Sequence, residues 1–224
     1  MNYVLLFIEV LLVFLLMVIF YKLSKKDALY LYIGLLASLA GISIIGSIEI
    51  MSFDINMGLP IIMGLFVANN IIIHRYGLDE VKRILYTFGI CYLLPIIFIQ
   101  LGSLINKYGL DVSSNGIYDL LFGYDLDNLR VVVGGFISIF IMIWMSSGIY
   151  YSIRKNRSAI VISNLTSAFV VSFIESMVFV LITNIGYFGF IELFGMISIR
   201  YIIEIIISII GLVPVYYLIK YVDK

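Results

Sequence analysis

Seven stretches of this chain are long and apolar enough to cross a lipid bilayer, and that leaves few folds open to it. They run over about residues 3–21, 28–50, 57–74, 84–104, 131–153, 159–184 and 191–219. A hydrocarbon core about 30 Å thick takes roughly 20 apolar residues as a helix. The sequence therefore predicts an all-α polytopic membrane protein with seven transmembrane helices, in one integral membrane domain over residues 1–224. Composition points the same way. Hydrophobic residues make up 63% and charged residues 12% of the chain, against about 45–50% and 25% in soluble domains. The opening span has no basic leader and no small-residue cleavage site before residue 22, so it is read as a retained helix.

The connecting charges alternate. Lys22, Lys25 and Lys26 follow the first span, Arg75, Lys82 and Arg83 the third, Arg154, Lys155 and Arg157 the fifth, and Lys220 and Lys224 the last. The opposite connections hold only Lys107 and Arg130. Basic loops stay cytoplasmic, so the pattern predicts the N-terminus outside, the C-terminus inside, and residence in the cell (inner or plasma) membrane. The longest connection, about 105–130, is acidic, with Asp111, Asp119, Asp125 and Asp127. Ile117, Leu120, Leu121 and Tyr124 fall there at helical spacing, which suits either an interfacial segment or a solvated connector. Spans two to four and five to seven form two groups of three, the arithmetic of an inverted repeat with one added N-terminal helix.

Zero formal net charge removes the basic surface that nucleic acid would need. One cysteine, Cys91, and one histidine, His74, leave no disulfide framework and little for a metal site. HExxH, GxSxG and Gly-rich phosphate loops are missing from the sequence. The expectation is a protein that is not an enzyme and uses no cofactor or metal. Cys91 reads as a packing residue and His74 as interfacial. Pro60 and Pro95 are expected to kink their spans, and Gly34, Ala37, Ser38, Gly41 and Gly46 to let the second span pack closely. Glu49 is placed at the outer end of that span, within reach of water.

Charges inside spans are costly, roughly 2.5–3.5 kcal/mol each at the centre on insertion scales, and persist where they face protein or a wet cavity. Glu175, Arg200 and Glu204 are such residues. In the sixth span Asn164, Ala168, Ser172 and Glu175 share a face, with Ser167 beside it; in the seventh Tyr201, Glu204, Ser208 and Gly211 do, with Arg200 at its edge. Glu175 and Arg200 lie at similar depth, roughly 14 Å below the outer boundary at 1.5 Å per residue. Arg200 is thus placed to pair with Glu175 or, one turn away, with Glu204. Asn69 and Asn70 add amides near the middle of the third span. These groups are either locks between helices or the lining of a substrate cavity.

Several motifs taken together resemble the vitamin uptake transporter family, also called the queuosine precursor transporters. The resemblance extends from about Tyr21 to the end. KLSKKDALYLYIGLL and SIEIMS stand where the family has a basic turn, an apolar span and a "VELFG"-like end, with Glu49 at its acid. FVANNIIIHRYGLDEVKR is similar to "FLATDILSEKYG", matching at Phe66, Tyr76 and Gly77 but with Asn70 at the family's Asp and His74 at its Glu. Phe122, Gly123 and Arg130 match "FG…LPRIALASLIAY", with Leu129 at its Pro. NLTSAFVVSFIESMVF resembles "NNASTLVSQLIDTLIF", with Asn164 and Ser167 matching, Ser172 at Gln and Glu175 at Asp. YIIEIIISIIGLVPVYYL resembles "YLLKLIVALLDTPFLYL", with Tyr201 matching, Pro214 one position displaced and Glu204 at its lysine.

The resemblance implies a carrier for a 7-deazaguanine such as 7-cyano-7-deazaguanine, 7-aminomethyl-7-deazaguanine or queuine. Glu175, Arg200, Glu204, Asn70, Asn164, Ser172 and Tyr201 are then the expected substrate-binding residues. Glu175 would accept from the base's donor edge, Arg200 would balance the carboxylates, and Asn70 and Asn164 would read the remaining edge. Expected partners are a purine-like small molecule and the bilayer, with a homo-oligomer or an energising subunit left open. A substrate-capture subunit of an ATPase-energised vitamin importer and a structural membrane protein are the alternative readings.

Overall fold

A computed structural model describes residues 2–44, 46–50, 53–108, 126–155 and 159–221. Among them six helices are long and apolar enough to span a membrane. They are α1 (Asn2–Ser43), α2 (Leu59–Tyr76), α3 (Val81–Tyr108), α4 (Leu126–Lys155), α5 (Ile160–Asn184) and α6 (Phe190–Tyr221). A single 3-10 turn, Leu78–Glu80, precedes α3. A hairpin of β1 (Ser47–Ile50) and β2 (Phe53–Asn56) lies between α1 and α2. The all-α membrane class holds, apart from that hairpin.

Six helices stand where seven spans were expected, because the first two predicted spans run together as α1, which breaks into two arms that fold back on each other. α1 has 42 residues, about 63 Å at 1.5 Å per residue, twice what a bilayer needs. It is broken at Ser24 (φ −146°, ψ 25°) and Lys25 (φ 45°, ψ −107°). Tyr32 Oη donates to the Val13 carbonyl oxygen at 2.7 Å. Nineteen residues of straight helix would hold these atoms about 28 Å apart. The chain therefore turns back at Ser24–Lys25, and the Phe20 and Tyr32 rings lie 5.8 Å apart across the fold. Lys25 takes a positive φ without being glycine, and packing on both sides of the break holds it there.

The second predicted span, 28–50, is also too long. The helix stops at Ser43, and Ser47–Ile50 pairs antiparallel with Phe53–Asn56, Glu49 opposite Asp54. SIEI and FDIN alternate apolar and polar residues with a period of two, which suits a strand with one wet face better than a lipid-facing helix. Pro60 starts α2 and does not kink it; at the first turn its missing N–H costs no hydrogen bond. Pro95 does sit inside α3. Of the predicted 105–130 connection, residues 109–125 lie outside the described residues, as do Arg157 and Lys224, while 105–108 and 126–130 are helical.

α2 is the axis of the molecule. It packs against α1, α4 and α6 and is buried without interruption from Leu59 to Ile73. Protein, and not lipid, surrounds it, so it can carry Asn69 and Asn70 where α3, largely lipid-facing, carries apolar residues. Small residues make the close approaches. A Cβ at Gly135 would lie 2.2 Å from Ile44 Cδ1 and 2.7 Å from Tyr92 Oη, and one at Gly211 would lie 2.9 Å from both Phe14 and Val67. Two arginines satisfy helix-end carbonyls. Arg75 donates to Ile219 O at 2.6 Å, and Arg130 donates to Ile182 O at 2.7 Å and Ile185 O at 2.6 Å.

Candidate functional site

The turn between α5 and α6 is tight, with Gly186 at φ 93°, so the two helices run antiparallel side by side. Their inward faces are those the sequence made polar. Glu175, Arg200 and Glu204 are all buried, with Arg200 only 2% exposed. Arg200 grips Glu175 through both sides of its guanidinium: Nη2 to Oε1 at 2.9 Å, Nη2 to Oε2 at 3.1 Å and Nε to Oε2 at 3.2 Å. Of the two pairings open to Arg200, the structure makes both. Its Nε also lies 3.1 Å from Glu204 Oε1. That single N–H already points to Glu175, so Glu204 gains charge contact without a hydrogen bond. Two carboxylates thus share one guanidinium in a space closed to solvent, where uncompensated charge is expensive.

Three further groups fix the Glu175–Arg200 pair, and the sequence reading named none of them. Ser138 on α4 donates to Glu175 Oε1 at 2.8 Å. Asn56, at the end of β2, accepts from Arg200 Nη1 at 3.2 Å and donates to Ile44 O at 2.6 Å. Phe179 lies under the guanidinium, its ring centre 4.2 Å from Cζ, a cation–π contact. Ser138 follows Gly134 and Gly135 on a small-residue face, a signal visible in the sequence. Asn56 gave none, because the hairpin that aims it was not foreseen.

Glu204 contrasts with Glu175. Glu175 has four donated hydrogen bonds, whereas neither oxygen of Glu204 has any among the described residues. Ser172 and Glu175 face it from α5. Among the described residues the buried hydroxyls of Ser176 and Ser208, one beside Glu175 and one a turn beyond Glu204, also lack a partner. Tyr201 is half-buried and meets Phe173 edge-on at 5.8 Å.

The amides form a separate group. Asn70 Nδ2 donates to Asn164 Oδ1 at 2.8 Å, with both residues fully buried. Asn69 turns the other way, donating to Ser146 Oγ at 2.8 Å and Ser147 Oγ at 3.1 Å and accepting from Ser147 at 3.2 Å. It joins α2 to α4. His74 Nδ1 lies 3.1 Å from Tyr150 Oη.

The two groups do not meet. α2 and α6 run parallel, since Asn56 reaches Arg200 at one end and Arg75 reaches Ile219 at the other. Gly211 packs on Val67 between them. Glu204 lies seven residues before Gly211 and Asn70 three after Val67, so about 15 Å of helix separates them along the axes. The site residues foreseen as one cavity are therefore a charge cluster and an amide pair at different depths.

A protein-family model described as putative vitamin uptake transporter matches residues 56–219. The match starts at Asn56 and leaves out α1 and β1, so it is shorter than the resemblance that began near Tyr21. No curated protein and no solved structure matches the chain. With a match over most of its length and six helices long and apolar enough to span a membrane, this multi-pass membrane protein belongs to the putative vitamin uptake transporter family.

Proposed function

We propose that the protein imports a queuosine precursor, a 7-deazaguanine such as 7-cyano-7-deazaguanine, 7-aminomethyl-7-deazaguanine or queuine, or a related purine-like nutrient. It works as one integral domain in the cell membrane with its N-terminus outside. The observation that carries the reading is Glu204: a fully buried carboxylate, among apolar helices, whose two oxygens accept no hydrogen bond among the described residues. Its counter-charge, Arg200, is shared with Glu175, so the group stays costly unless another state of the molecule supplies donors. The donor edge of an aminopyrimidinone supplies two. Glu175 is occupied by Arg200 and Ser138, so the acceptor role passes to Glu204, while Glu175, Ser138 and Asn56 hold Arg200 against it. Ser172 borders the same carboxylate.

The test uses bacteria that can neither make queuosine nor import its precursors. They are given the protein and each of the three deazaguanines in turn, and queuosine in tRNA is measured. The expected result is rescue by wild type and at least roughly tenfold less by Glu204→Gln at equal membrane expression, since a site built to pair a donor discriminates strongly. No queuosine with any precursor, despite good expression, overturns the substrate assignment.

A structural role without transport is favoured by one observation, the complete pairing of Glu175 with Arg200 and Ser138 across α4, α5 and α6. It predicts that Glu204→Gln changes stability alone and that the purified protein moves no solute into liposomes.

A further inference from the structure

We propose that Asn70 and Asn164 form a second ligand station, separate from the Glu204 cluster, that reads a neutral planar ligand carrying an N–H beside a C=O, as a lactam does. The inference deepens the transport reading and rests on it for the carrier role.

The argument starts from what two amides can offer. Each carries one acceptor oxygen and one donor amino group. A single hydrogen bond joins the pair, and among the described residues Asn70 Oδ1 and Asn164 Nδ2 are left without a protein partner while fully buried. The outcome is independent of which amide atom is oxygen and which is nitrogen. If both are exchanged, the bond runs from Asn164 to Asn70, and one amino group and one oxygen again remain. The pair always leaves one donor and one acceptor, the complement of a lactam edge.

Helix glue alone does not account for this. Asn69 is as deeply buried and stands next in the sequence, yet Ser146 and Ser147 use both its oxygen and its amino group. Nothing comparable serves Asn70 and Asn164. Neither amide hydrogen-bonds a charged group among the described residues, which suits a neutral ligand. The distance of about 15 Å from Glu204, set by helix rise, exceeds the width of one bicyclic heterocycle. A ligand held at Glu204 is therefore not the same molecule, in the same pose, that the amides hold. The two groups mark successive stops on one path between α2, α5 and α6, and both are closed in this arrangement of the helices.

The full-length protein in lipid nanodiscs is tested for equilibrium binding of hypoxanthine, a lactam, and 6-methoxypurine, which lacks the N–H of that edge. Wild type is expected to favour hypoxanthine by roughly tenfold or more. Asn164→Asp keeps the shape and replaces the donor with an acceptor. Guanine, with two adjacent N–H donors, should then gain on hypoxanthine by a similar factor. Asn70→Ala is the second variant and should reduce hypoxanthine binding to the level of 6-methoxypurine. No saturable hypoxanthine binding by wild type, equal binding of the two purines, or an unchanged ratio in whichever variant folds overturns the inference. An unchanged ratio is the result expected if the amides only join helices or hold water. Discrimination by the amides together with failed rescue by all three deazaguanines would remove the substrate assignment and leave this station standing.

Discussion

Replacing Arg200 by methionine should cost far more than neutralising Glu175, although the two groups form one ion pair. In the native arrangement Arg200 holds Glu175 at 2.9 Å and lies 3.1 Å from Glu204. Arg200→Met leaves two buried carboxylates facing each other with no counter-charge, a loss of about 3–5 kcal/mol. Glu175→Gln removes one carboxylate charge, keeps its bulk and a bond to Ser138, and leaves Arg200 with Glu204 as its counter-ion. Its cost is that of weakened charged hydrogen bonds, about 1.5–3 kcal/mol. Exchanging Glu175, Arg200 and Glu204 together for leucine, methionine and leucine should restore stability to wild type or raise it by about 1–4 kcal/mol, since no ion is then desolvated. Reversible unfolding in mixed micelles titrated with dodecyl sulfate measures all three. If Glu175→Gln costs as much as Arg200→Met, Glu204 does not share the guanidinium and the three-group reading fails. If the triple variant is weaker than Arg200→Met alone, desolvation is not the dominant cost.

Gly135→Ala should lose about 1–3 kcal/mol in the same titration, because its methyl meets Ile44 at 2.2 Å and Tyr92 at 2.7 Å, whereas Gly148→Ala, with nothing within 4 Å, should be neutral or better. Tyr32→Phe should cost about 0.5–1.5 kcal/mol and raise proteolysis at the Ser24–Lys25 break, because it removes the Val13 bond that ties the two arms of α1; unchanged proteolysis would mean that packing alone holds the fold-back. With Cys91 replaced by alanine, single cysteines at Lys82 and Glu192 should label with a membrane-impermeant maleimide from opposite sides, Glu192 from outside. Labelling of Lys82 from outside would reverse the assigned orientation.

The helical spans were legible because hydrocarbon allows so little else: a long apolar run has one way to satisfy its backbone. The Glu175–Arg200 contact was legible for a related reason. Both residues sit in helices joined by a short turn, so counting residues from that turn gave their depths, and they meet at 2.9 Å. Counting failed where no short turn tied the elements. Asn70 belongs to α2, whose register against α6 is set by Gly211 on Val67 and Arg75 on Ile219, and none of that is local in sequence. Asn70 and Asn164 meet at 2.8 Å, and the charges lie about 15 Å further along the helices. The hairpin was missed because Ser43 to Asn56 keeps enough apolar residues to extend a span, and only its period of two marks the change. The reversal within α1 at Ser24–Lys25 falls inside the basic connection expected between the first two spans, where Lys22, Lys25 and Lys26 marked it.

The burial of α2 has a consequence for how the protein is made. It is the least apolar of the six spans and the most enclosed, so the bilayer alone gives it little reason to stay inserted. Until α4 is synthesised, Asn69 lacks Ser146 and Ser147. Until α5 follows, Asn70 lacks Asn164. During that interval two amides face lipid or the insertion machinery, and α1 and α3 on either side must hold the segment in place. A chain truncated before α4 should therefore be degraded faster than the full-length protein in a pulse–chase, and equal lifetimes would refute this.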